Sequence, residues 1–213
     1  MESMKNRLAA VLLGASLCAL SGVVSAQFGN LSKTIPGMAS ASPSSSVTPE
    51  GIVSRYVAGS KHVNNADIKM LRAVGLKDEA DRAELQAKNL TEGATKDALE
   101  ESVKSQTESS KALEARLAGG KVEMDAKSKE MFAAGMADLG RGIVQYAAMS
   151  KEASGFKPGP SAIGGSTTSA LYVVKTLPDS IRNLASTLKS SMDFAKANNI
   201  PVPKEAADAT AAI

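Results

Sequence analysis

Residues 125–153 read DAKSKEMFAAGMADLGRGIVQYAAMSKEA. Phe132, Met136, Leu139, Ile143 and Tyr146 recur at steps of four and three, the spacing that puts side chains on one face of an α-helix. Asp125 stands where an N-cap carboxylate would accept from the free N–H groups of the first turn, so the stretch predicts one long helix to about Ala153. Between the large apolar residues the chain is small: Ala133, Gly135, Gly140, Gly142 and Ala147. A glycine inside a helix costs about 1 kcal/mol against alanine, so three of them predict either close backbone approach or a flexible element.

Upstream, Gly119-Gly120 separates this helix from one over residues 95–118. There Leu99, Val103, Leu113 and Leu117 share a face, but Gln106 and Ser110 occupy the seam positions between them. A peripheral helix packed at its two ends is the expected reading; a polar patch facing a receptive groove is the alternative. Before it, Leu76, Ala80, Ala83, Ala87 and Leu90 form a narrow seam that closes at Glu92-Gly93. Thr48-Pro49-Glu50 is a helix start, with a hydroxyl cap, a proline at the first helical position and an acid in the first turn. The stripe from Ile52 to Val74 continues that helix to Gly75, with Gly59 and Asn64-Asn65 as expected bends or breaks.

Downstream, Ser154 to Gly165 is a Gly- and Pro-rich loop that contains Phe156. Ser166-Thr167-Thr168 is expected to cap a further helix, kinked or restarted at Pro178, whose seam runs through Ile181, Leu184, Leu188 and Ala195 to a stop at Asn198-Asn199. Ile200-Pro201-Val202-Pro203 is extended by its prolines, and residues 204–213 form an alanine-rich tail of one or two loose turns. No strand-type alternation of useful length and no internal repeat occurs. The predicted fold is all-α: a single antiparallel bundle of five to six helices over residues 48–199, with a Pro-containing tail over 200–213.

Composition agrees, since aromatics are only 3% and tryptophan is absent, which suits close helix packing better than a sandwich or barrel. At the N-terminus, Lys5 and Arg7 precede an apolar run from Leu8 to Val24 that ends at Val24-Ser25-Ala26. That is the three-part pattern of a cleavable export signal, so residues 1–26 are expected to be removed and residues 27–47, with Pro36, Pro43 and Ser44-Ser45-Ser46, to form a flexible lead-in. Leu17 before Cys18 is too large for lipoprotein processing, and Cys18 is the one cysteine, so the mature chain has no disulfide, thiol nucleophile or zinc-thiolate site. A net charge of +3 argues against a dedicated nucleic-acid binder.

Residues capable of chemistry are few. His62 is the only histidine and no nucleophile-elbow motif accompanies it, so it reads as a surface residue. The acids at Asp78, Glu79, Asp81 and Glu84, and at Asp97, Glu100 and Glu101, alternate with Lys77, Arg82 and Lys88 and read as charge-paired helix faces rather than a cation site. Gly119-Gly120-Lys121 lacks the hydroxyl residue of a phosphate loop, and Gly164-Gly165-Ser166-Thr167 is a better anion cradle but is explained by capping. Met124, Met131, Met136 and Met149 are spaced as core filling rather than copper ligands. No cofactor is implied. Asn30-Leu31-Ser32 and Asn89-Leu90-Thr91 match a glycosylation pattern and read as coincidental beside a bacterial-looking signal.

The expected function is therefore a non-enzymatic binding or structural role in the bacterial envelope, periplasmic or secreted, towards a protein, peptide or lipid. Gln106, Ser110, Phe156, Ile200 and Val202 are the expected contact residues. The competing expectation is a membrane-active, pore-forming type of protein, against which Asp138 and Arg141 interrupt the longest helix and leave no stable transmembrane span in the mature chain. An enzyme using carboxylates with Tyr56, Tyr146 or Tyr172 is the third and weakest reading.

Overall fold

The computed structural model describes residues 47–158 and 164–212; the expected export signal, and the lead-in up to residue 46, lie outside the described residues. Six helices and no strand occur among the described residues: α1 (Pro49–Ala73), α2 (Lys77–Asn89), α3 (Lys96–Ala118), α4 (Ala126–Ala153), α5 (Gly165–Ala197) and α6 (Lys204–Ala212). The all-α bundle is thus the observed architecture.

Local chemistry starts three of these helices. The side chains of Thr48, Thr95 and Asp125 accept from the N–H groups of Gly51, Ala98 and Ser128, at 3.1, 3.3 and 2.7 Å. At α5 the cap is Gly164, which has no side chain to offer, and Ser166, Thr167 and Thr168 fall inside the first turn instead of before it. Neither α1 nor α5 is broken at the expected positions. α1 passes through Gly59 and Asn64-Asn65, and α5 passes through the exposed Pro178.

Helix direction follows from which ends meet. Residues at the starts of α1, α3 and α5 line one cleft, while Arg116 near the end of α3 donates to the Val74 carbonyl at the end of α1. These three helices run the same way. α4 runs against them, because Glu152 at its end pairs with Arg55 near the start of α1, and Phe132 near its start meets Phe194 near the end of α5 with ring centroids 5.3 Å apart.

The core is built around α4. Phe132, Met136, Leu139, Ile143 and Tyr146 are all fully buried, so the 125–153 stripe is the centre of the molecule. Its glycines serve close approach. A Cβ on Gly142 would lie 2.8 Å from Val63 Cγ2, and one on Gly135 would lie 2.5 Å from Met70 Cγ, so α4 settles directly on α1. Gly140 faces the backbone of Glu205 and Ala206 in α6.

The segment after Asn199 is part of this packing. Ile200 is buried, and Ala206 and Ala209 of α6 are fully covered, so the expected loose tail is a docked helix. Docking also explains the charges in mid-α4. Asp138, itself buried, accepts from Lys69 at 2.6 Å and Arg141 at 2.9 Å, and Arg141 reaches Glu205 at 2.6 Å. They tie α1 and α6 to α4, and no helix among the described residues is long and apolar enough to cross a membrane.

Candidate functional site

Two features concentrate polar groups. The first is a seam inside the bundle. Along α1 the positions Tyr56, Ser60, Asn64 and Asp67 repeat at helical spacing and are buried; along α3, Ser102, Gln106, Ser109 and Ser110 are buried in the same way. The amide of Gln106 donates to Asn64 Oδ1 at 3.3 Å, joining the two helices at mid-length. From α4, Tyr146 stacks on Tyr56 with centroids 5.2 Å apart and planes 9° apart, and its hydroxyl shares a 2.6 Å hydrogen bond with Ser60. From α5, the Thr187 hydroxyl donates to Glu114 of α3 at 2.9 Å.

The electrostatics of the seam are those of a dry interior. Burial pushes the phenols of Tyr56 and Tyr146 up, Tyr146 well above its ordinary value. Burial also holds the Asp67 carboxyl well above the usual carboxylate range. The Tyr56 hydroxyl lies close to Ser60, Ser102 and Tyr146, yet no group completes a hydrogen bond of good geometry with it or with Ser110 Oγ.

The second feature is a cleft of about 530 Å³ at the end of the bundle where α1, α3 and α5 begin. Val53 and Ala94 lie in its floor, and Glu50, Glu92, Thr95, Asp97, Ser166 and Thr168 are among its polar walls. Glu50 bonds to Ser166, and this hydrogen bond holds the Glu50 carboxyl below its ordinary value. A carboxylate of the chain itself therefore stands at the start of α5, at the expected anion cradle. Lys96 pairs with Glu100 at 2.8 Å, with its ammonium 6.0 Å from the centre of the Tyr172 ring.

The residues expected from sequence to make contacts are distributed, not gathered. Gln106 and Ser110 come together, lining a small cavity between α3 and α5, but both are buried, so the middle of α3 packs inward. Phe156 is half-buried against the core just after α4, whereas Ile200 is buried and Val202 half-buried just after α5. Because α4 and α5 run oppositely, these lie at opposite ends of the bundle. Sequence reasoning does not reach the cleft itself. The capping signals at Thr48 and at Gly164 to Thr168 mark two of its walls, but only the parallel course of α1, α3 and α5 brings them to one place.

The acidic faces are charge-paired: Arg72 bonds Asp81 at 2.8 Å and Glu84 at 2.6 Å, and Lys88 and Arg72 hold the Glu84 carboxyl below its ordinary value. Among the described residues no group of three His, Cys, Asp or Glu is placed to hold a metal ion. Met136 and Met149 are buried, and Met124 and Met131 pack against the core. Fold and site together define, among the described residues, an all-α bundle with a polar interior seam, the cleft of about 530 Å³ at the starts of α1, α3 and α5, and a smaller one of about 380 Å³ near the ends of α3 and α5. No family model matches the chain, and no curated protein or solved structure matches it.

Proposed function

We propose that this chain is an exported, non-enzymatic binding protein of the bacterial envelope, periplasmic or secreted, and that its ligand enters the cleft between the starts of α1, α3 and α5. The supporting observation is the cleft: its volume of about 530 Å³ falls within the roughly 300–1,000 Å³ of small-ligand sites. Its chemistry favours a short peptide segment over a lipid chain. An apolar floor at Val53 and Ala94 suits an apolar side chain, while hydroxyls, carboxylates and helix-start N–H groups suit a peptide backbone. The reading as non-enzymatic rests on the polar groups: the perturbed tyrosines and Asp67 are sealed in the seam and are not among the residues that line the cleft.

The test is to purify the mature protein from its native envelope fraction and identify by mass spectrometry what accompanies it. Thr168 is exposed and lines the cleft, so Thr168→Trp fills the cleft without touching the core. A partner or peptide recovered with the wild type and lost with Thr168→Trp, at unchanged helicity and melting temperature, is the expected result. Retention of the same partner by the variant would sink the assignment to this cleft.

A further inference from the structure

The charges around the cleft at the starts of α1, α3 and α5 narrow the class of ligand it takes. Three carboxylates line it: Glu50 in the first turn of α1, Glu92 in the turn between α2 and α3, and Asp97 in the first turn of α3. Among the described residues none of the three forms an ion pair with a lysine or arginine. Lys96 is the one basic residue lining the cleft, and its ammonium is already held by Glu100 at 2.8 Å. The helix starts act in the opposite sense, but each is worth only roughly half a positive charge, so three of them leave about half of the carboxylate charge unbalanced. Two of those starts are in addition capped by the chain itself, through Thr48 and Thr95. The cavity therefore carries surplus negative charge around an apolar floor at Val53 and Ala94.

We propose that the cleft selects peptides that carry a basic side chain, with the ammonium of a lysine or the guanidinium of an arginine held by Glu92 and Asp97 while its methylene stem covers Val53 and Ala94. This rests on the reading of the cleft as the ligand site and adds the chemistry by which the site chooses. Glu50 is bonded to Ser166, so Glu92 and Asp97 are the carboxylates left to meet a ligand. A long basic side chain answers both parts of the surface together, because lysine and arginine lay their stems on apolar surface and keep the charged head at its polar edge. A purely apolar side chain covers the floor but leaves the carboxylates without a counter-charge, and an acidic one meets like charge.

The test is retention of a randomised library of end-blocked pentapeptides by the mature protein, with the bound pool read by mass spectrometry beside the pools bound by Glu92→Gln/Asp97→Asn and by Thr168→Trp. Blocking both ends makes the side chains the only source of positive charge. The wild-type pool is expected to be enriched in lysine and arginine at one position by about tenfold, a preference of about 1.4 kcal/mol. That enrichment is expected to fall severalfold in the double variant, and likewise in about 1 M salt, where the screening length shrinks to roughly 3 Å. A pool lost with Thr168→Trp but without preference for basic residues would keep the cleft as the ligand site and overturn the basic ligand. Equal enrichment by the folded double variant would overturn it as well. No retained pool, or one that Thr168→Trp holds unchanged, would overturn the reading of the cleft and the basic ligand together. Should the double variant fail to fold, the salt series on the wild type decides.

Discussion

The ring of Tyr146 occupies the space where residue 59 would carry a side chain: a Cβ on Gly59 would fall 2.5 Å from Tyr146 Cε1 and 2.7 Å from Cδ1. Tyr56 stacks on that ring from the preceding turn and Ser60 bonds its hydroxyl, so residues 56, 59 and 60 of α1 together form the socket for Tyr146. Gly59→Ala adds helix propensity worth about 1 kcal/mol but drives a methyl into a fully buried ring. Overpacking of this kind costs about 1–3 kcal/mol, so the variant is expected to be net destabilised by urea titration. Gly93, where an added methyl would meet nothing within 4 Å, is the control, and Gly93→Ala is expected within about 0.5 kcal/mol of wild type. Equal stability of the two variants would refute the socket.

Asp67 links stability to pH with an unusual sign. Burial raises its folded-state pKa above the unfolded value, so between the two the folded protein holds a proton that the unfolded chain releases. Its contribution is harmless below the unfolded pKa of about 4 and turns destabilising as pH rises towards the folded pKa, at up to about 1.4 kcal/mol per pH unit. Asp67→Asn keeps the shape without the ionisation. The variant is expected to be more stable than wild type at pH 7 and to match it near pH 4. Parallel urea midpoints for the two proteins from pH 4 to 8 would show that the carboxyl does not titrate in this way.

The Asn64–Gln106 bond is the direct side-chain link between α1 and α3 at mid-length. Asn64→Leu alone leaves the buried Gln106 amide without its acceptor, and the expected cost is about 1–3 kcal/mol. Replacing both residues with leucine removes the unpaired amide together with the bond, so the double variant is expected to recover most of the loss. A double-mutant cycle checks this, and strict additivity would mean the pair is not coupled.

α6 is held by a backbone approach at Gly140 and by two buried alanines, not by a large apolar face. Gly140→Val places branched carbons where the Glu205 carbonyl lies, and is expected to release residues 204–212 while α1 to α5 stay folded. Hydrogen exchange across α6 is expected to accelerate roughly tenfold or more, the ratio that about 1.4 kcal/mol of lost docking produces. Arg141→Ala removes the half-exposed ion pair to Glu205 and one of the two cations on Asp138, which keeps Lys69, and should change exchange across α6 far less. Equal effects would assign the docking to charge instead of to the glycine.

The helices are legible in the sequence because their causes are local. Thr48 and Asp125 cap within three residues, and the Phe132 to Tyr146 stripe repeats with every turn, so short windows of sequence contain the whole signal. The candidate site is not legible to the same degree. Gln106 and Ser110 are visible as polar residues in an apolar seam, but whether they face solvent depends on α1 supplying Asn64 and α5 supplying Ser180 and Asn183, from segments tens of residues away. The end cleft depends likewise on three helix starts meeting.

By itself, then, the sequence determined five to six helix-forming segments over residues 48–199 and an all-α fold, because periodicity, capping and the absence of strand patterning are properties of neighbouring residues. Only the tertiary structure decided that Gly59 receives a ring and does not break α1, that α5 runs on through Pro178, and that residues 200–212 pack on the bundle. A glycine, a proline or a polar seam residue states what the chain permits at that point. What lies opposite it, and hence whether that freedom becomes a bend, a contact or a buried hydrogen bond, is settled by helices that arrive from elsewhere in the chain.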